Sequence, residues 1–131
     1  MVSTKDWKVL LVDDEVEFAS ALEERLRMRG IQAEAVYDGE KAIQRIPSDP
    51  PDVVVLDVVL PGVGGLEVLK WTKEHYPDVK IMLLTGRGVS QADIEKGISL
   101  GAASYFFKPL KIEELIVELL DILEVRTTKE T

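Results

Sequence analysis

Residues 53–57 read Val-Val-Val-Leu-Asp. Four apolar residues, three of them β-branched, run without interruption into one carboxylate. A half-buried strand would alternate apolar with polar. A short continuous apolar run marks a strand buried on both faces, as in a parallel sheet. Two further runs of the same kind flank it, Lys8 to Val12 (KVLLV) and Lys80 to Thr85 (KIMLLT). The Asp57 carboxylate stands where the strand opens into its loop, Val58-Val59-Leu60-Pro61-Gly62. In open α/β sheets ligands bind at that carboxyl-terminal edge.

The rest of the chain supplies the elements such a sheet needs. Gln32 to Tyr37 alternates weakly and predicts a less buried second strand. Ser104 to Phe107 predicts a fifth. Phe18, Ala19, Leu22, Leu26 and Met28 recur at helical spacing, which predicts a helix to about Arg29, with Gly30 as its stop. Glu40 to Ile46 reads as a short helix ended by Pro47. Leu66, Val68, Leu69 and Trp71 open a third helix that ends near His75 and Pro77. Ser90 and Asp93 have the spacing of a capping box for a fourth, running to about Leu100. Leu110 to Val125 is the last helix, and Arg126 to Thr131 reads as a polar, frayed tail.

Strand and helix alternate five times with no linker between them, so residues 1–131 are read as a single domain with its core at about 8–125. The pattern predicts an α/β fold: one doubly wound, five-stranded parallel sheet with helices on both faces. The flavodoxin-like order 2-1-3-4-5 is one of two common solutions, and it sets strand 1 beside strand 3.

With 46% hydrophobic and 31% charged residues, the composition is that of an ordinary globular domain. No apolar stretch is long enough for a bilayer, and no signal-peptide core follows Met1, so a cytoplasmic location is expected. Cysteine is absent, which removes disulfides and thiolate metal sites. The net charge of −8 argues against gripping a nucleic-acid backbone.

The proposed strand order brings Asp13 and Asp14, at the end of the first strand, to the crevice beside Asp57. Carboxylates about 4 Å apart repel by roughly 4 kcal/mol at an effective dielectric near 20. Such a group takes up a proton or binds a cation, and a few hard oxygen donors suit Mg²⁺ or Mn²⁺. Thr85 and Lys108 end the fourth and fifth strands on the same edge. Pro109 restricts Lys108 to extended geometry. Nucleophile, metal ligands, hydroxyl and ammonium are thus collected where a phosphoryl group could sit.

These residues carry a family resemblance. Val12-Asp13-Asp14-Glu15, Asp57-Val58-Val59-Leu60-Pro61-Gly62, Leu84-Thr85-Gly86 and Lys108-Pro109 fall in that order across nearly the whole chain. In this the chain resembles the receiver domains of two-component response regulators. The resemblance implies that Asp57 accepts a phosphoryl group from a histidine kinase or a histidine phosphotransfer protein. It implies that Asp14, Asp57 and the backbone carbonyl of Val59 ligate Mg²⁺, with Asp13 acting mainly through water. Thr85 would hydrogen-bond the phosphoryl group, Lys108 would pair with it, and Tyr105 would be the switch aromatic. A downstream protein would read the change on the fourth helix, fifth strand and fifth helix. Chemistry would be limited to self-phosphorylation and slow self-dephosphorylation, since Val59 offers no side chain to position water. Val59 and Arg87 occupy positions that tune phosphoryl lifetime in the family. Gly86, and Gly64-Gly65, depart from the family's commoner residues.

Three alternatives remain open at this level. The chain could be an unphosphorylated docking module on the same fold. A Mg²⁺-dependent phosphatase with an aspartate nucleophile would place a second acid two positions on, where this chain has Val59. A flavin or nucleotide binder would need a phosphate loop after the first strand, where Asp13-Asp14-Glu15 would repel the ligand.

Overall fold

The computed structural model describes residues 7–86, 88–108 and 111–130, with side chains as far as residue 124. Five strands form one parallel sheet: β1 (Lys8–Val12), β2 (Gln32–Val36), β3 (Val53–Asp57), β4 (Lys80–Thr85) and β5 (Ser104–Phe107). Their order is β2-β1-β3-β4-β5, as expected. Five helices alternate with them: α1 (Val16–Met28), α2 (Gly39–Arg45), α3 (Gly65–His75), α4 (Gln91–Ser99) and α5 (Ile112–Glu130).

The unbroken apolar run of β3 is explained by two cores. Val53 and Val55 face one side, with Val9 and Leu11 of β1, Leu22 and Leu26 of α1, and Leu115 and Leu119 of α5. Val54 and Leu56 face the other, with Leu10 and Val12, Ala42 of α2, and Val68 and Leu69 of α3. These four apolar side chains of β3 are buried to within 1% of complete. Each contributes about 1.5–3 kcal/mol of apolar transfer, an upper figure because the unfolded chain is itself partly collapsed.

Boundaries differ from expectation where the backbone finds a better use for a residue. The second strand stops at Val36, one residue short of Tyr37. Pro47 does not end the second helix abruptly; the chain tightens into a 3₁₀ turn over Ile46–Ser48. A proline there lacks only an N–H that a helix start leaves unpaired anyway. Gly65 belongs to α3 and not to the preceding loop, its N–H donating to the Val58 carbonyl at 3.0 Å. The last helix runs past Val125, since α5 continues to Glu130. No glycine or proline follows Val125 to stop it. Leu110, the expected start of the last helix, lies outside the described residues, as does Pro109 before it.

The Ser90–Asp93 capping box forms as read. Ser90 Oγ accepts from the Asp93 N–H, and Asp93 Oδ2 accepts from the Ser90 N–H, both at 3.1 Å. Among the described residues, no helix is long and apolar enough to cross a membrane.

Candidate functional site

The strand register builds the site. Val12 lies opposite Leu56 across β1 and β3, so the next residues, Asp13 and Asp57, leave neighbouring strands side by side. Each folds its carboxylate back on its own loop. Asp13 Oδ1 accepts from the Glu15 N–H at 2.9 Å, and Asp57 Oδ1 accepts from the Val59 N–H at 3.0 Å. Both are turns in which an aspartate binds the backbone two residues on. Both leave Oδ2 facing the crevice, and both residues are buried, Asp57 to 6% exposure.

Lys108 fills the space between them. Its Nζ lies 2.7 Å from Asp13 Oδ2, 3.0 Å from Asp57 Oδ2 and 2.6 Å from Glu15 Oε1. The ammonium sits 5.0 Å from the centre of the Phe18 ring, at α1. The Lys108 backbone N–H donates to the Thr85 carbonyl at 2.7 Å, which ties the loops after β4 and β5 together. Thr85 is buried, and its hydroxyl turns to the Phe106 carbonyl at 3.5 Å, the outer limit of a hydrogen bond. Tyr105 is 41% exposed and lies edge-on to Phe107, with ring centres 5.5 Å apart. Its ring is therefore on the outside of the fold, away from Thr85's buried hydroxyl.

Electrostatics follow from this packing. Burial pushes the Asp57 carboxyl above its ordinary 3.8, and the neighbouring Asp13 charge adds to the rise against the pull of Lys108. Burial works against the Lys108 ammonium too, but its carboxylate partners more than offset it and hold its pKa above the ordinary 10.5.

The acids also fit a hard cation. One carboxylate oxygen from each of Asp13, Asp14 and Asp57 can be chosen so that all three lie within 4.8 Å of one another. Asp13 Oδ2 is fully buried; its contact with Lys108 is a charge contact that lacks hydrogen-bond alignment. A carboxylate oxygen left in that condition favours a further positive partner. Asp14 is exposed, on the open side of the group.

All the residues singled out in the sequence therefore stand at one edge of the sheet except Tyr105, whose ring lies on the outer surface of β5. Arg87 and Pro109 lie outside the described residues. Sequence reasoning gave Glu15 no role of its own, and Phe18 none beyond the helix pattern. The signal for Glu15 was present: it precedes an amphipathic helix at the N-cap, a position that favours Ser, Thr, Asp or Asn over Glu.

The response regulator receiver domain profile matches residues 9–120. A putative response regulator from Chloroflexus aurantiacus is 32% identical, with a TM-score of 0.80 over 90% of this chain and 98% of its own. The receiver domain of the Francisella response regulator 1452 is 26% identical, with a TM-score of 0.83 over 92% of this chain and 99% of its own. A CheY-like receiver domain protein from Methanospirillum hungatei shares the fold with a TM-score of 0.89, over 94% of this chain and 98% of its own, at 21% identity. Receiver domains are phosphoryl-accepting signalling switches that bind Mg²⁺ in an acidic pocket and work with histidine kinases or phosphotransfer proteins. With a match that spans residues 9–120 on the expected sheet, the chain belongs to the response regulator receiver domains of two-component systems.

Proposed function

We propose that Asp57 is the phosphoryl acceptor, served by Asp13, Asp14, Thr85 and Lys108. The observation that carries this reading is the pairing of a buried strand-end carboxylate with one ammonium, at 3.0 Å, beside two further acids. The Asp57 carboxylate oxygen attacks the phosphorus of a phosphohistidine. An O–P bond forms, the P–N bond breaks, and the imidazole leaves with the bonding pair. The product is an aspartyl phosphate. Asp13, Asp14, Asp57 and the Val59 carbonyl would hold Mg²⁺, which supplies charge neutralisation for the phosphoryl oxygens. Lys108 is placed to pair with the added charge, and Thr85 to turn its hydroxyl toward it.

The output is read on α4, β5 and α5. Support comes from apolar side chains exposed on each: Ile98, then Tyr105 and Phe107, then Val117. Inward rotation of Tyr105 as Thr85 moves would remodel that surface, by as much as the two states differ in binding the new charge. An exposed Val59 beside the acceptor supports slow self-dephosphorylation.

Incubation with acetyl phosphate or phosphoramidate and Mg²⁺, followed by intact-mass measurement, tests the proposal. The wild type should gain one phosphoryl group and Asp57→Asn none. No gain in the wild type would favour an unphosphorylated docking module. A stable adduct in Asp57→Asn would mean that another residue is the acceptor.

A further inference from the structure

The Glu15 carboxylate has an unusual disposition. Glu15 is the N-cap residue of α1: its backbone is extended and its carbonyl accepts the first helical bond, from Ala19 N–H at 3.0 Å. An N-cap side chain ordinarily accepts from the helix's own free N–H groups. The Glu15 side chain makes no such bond. It reaches across to Lys108 Nζ at 2.6 Å, the shortest of that ammonium's three carboxylate contacts. The other two partners, Asp13 and Asp57, are buried, while the Glu15 side chain is 63% exposed.

An ammonium has three protons to donate, and here three carboxylates surround it. Glu15 and Asp57 accept hydrogen bonds from it, while Asp13 makes a charge contact only, so a phosphoryl oxygen on Asp57 competes for the ammonium chiefly with Glu15. Asp13 and Asp57 are each fixed through their second oxygen by a backbone N–H. Releasing Asp13 would leave a buried carboxylate without its cation, and Asp57 is itself the group that takes the phosphoryl charge. Glu15 can swing into water at little cost, since its own side chain is already largely exposed. We infer that Glu15 is a positioning residue that holds one of Lys108's two carboxylate hydrogen bonds at rest and yields it to the incoming phosphoryl group. The inference rests on the reading of Asp57 as acceptor and Lys108 as its cation. Glu15 thereby sets the ease of phosphorylation by competing for Lys108.

Two variants separate contact from charge. Glu15→Ala removes both. Glu15→Asp keeps the charge but is one methylene shorter, and as a good N-cap it turns back to α1. With acetyl phosphate and Mg²⁺, initial phosphorylation rates should rise about two- to fivefold in both variants, the size of one exposed ion pair. In metal-free protein labelled with ¹⁵N-lysine, the Lys108 ammonium resonance, assigned with Lys108→Arg, should be protected from exchange in the wild type. It should broaden or vanish in both variants. Unchanged or slower rates in both variants would overturn the inference. So would a rise in Glu15→Ala with wild-type behaviour in Glu15→Asp, which would show a charge effect alone. If the wild type takes no phosphoryl group, the acceptor reading fails separately. The ammonium spectra then decide by themselves whether Glu15 holds Lys108, and equal spectra in all three proteins overturn it.

Discussion

Asp57 is placed where its charge works against the fold. Its carboxyl is raised by burial and by Asp13, so the folded protein binds a proton that the unfolded chain, titrating near 3.8, has already released. Above the folded value, the ionised group lowers stability. As pH falls through that value toward 3.8, the penalty fades. Asp57→Asn removes it while leaving Lys108 with Asp13 and Glu15. In Mg²⁺-free buffer the variant should melt a few degrees higher than wild type at neutral pH, and the gap should close on acidification. Thermal denaturation across that pH range checks it, and a lower melting point at neutral pH would count against the electrostatic account. At this scale the sequence showed which residues matter better than how they point. Asp13, Asp57 and Lys108 were legible because each ends an apolar run. The outward ring of Tyr105 and the reach of Glu15 to Lys108 depend on side-chain torsions that no local pattern encodes.

Gly65 makes the site's geometry depend on one missing side chain. A Cβ there would stand 2.1 Å from the Asp57 carbonyl oxygen and 2.7 Å from the Val58 Cα. The obstacle is backbone, which cannot swing aside. Gly65→Ala should therefore cost about 1–3 kcal/mol in urea denaturation, as overpacking does, and slow phosphoryl transfer by displacing the Asp57–Val59 turn. A variant as stable as wild type would mean that α3 shifts freely. The sequence placed Gly65 in a loop, because a glycine pair reads as a loop by composition; its close approach to β3 comes from the tertiary fold. The strands were legible, since continuous apolar runs leave few alternatives, and so was the start of α4, where Ser90 and Asp93 cap reciprocally. On the β2 side, α1 lends side chains to the outer edge of the sheet. Arg27 Nε donates to the Ala33 carbonyl at 2.9 Å, and Glu23 Oε2 accepts from the Ala35 N–H at 2.8 Å. Each such bond is worth about 1 kcal/mol. Glu23→Ala should speed hydrogen exchange at Ala35 selectively, measured by NMR, while amides of β3 keep their protection.

As a whole, the molecule places two apolar cores on the faces of one sheet and concentrates acid at one end of it. The chain carries a net charge of −8, and Asp13, Asp14 and Asp57 crowd at one crevice. A divalent cation bound there should stabilise the folded state alone, by about 2.7 kcal/mol at a hundredfold excess over its dissociation constant. Thermal melts with added MgCl₂ should rise accordingly in the wild type and much less in Asp13→Asn or Asp57→Asn; equal shifts in all three would place the ion elsewhere. The Arg27 and Glu23 contacts carry a consequence at this scale as well. Growth of a polymer by strand pairing requires two open edges on each copy. Here α1 occupies backbone groups on the β2 edge, while β5 stands at the other end of the sheet. Pairing of β5 with β5 across a twofold axis would use one such edge from each copy and close at two copies. Two outward backbone groups of the β2 edge are thus taken by the chain's own side chains, which disfavours strand addition there.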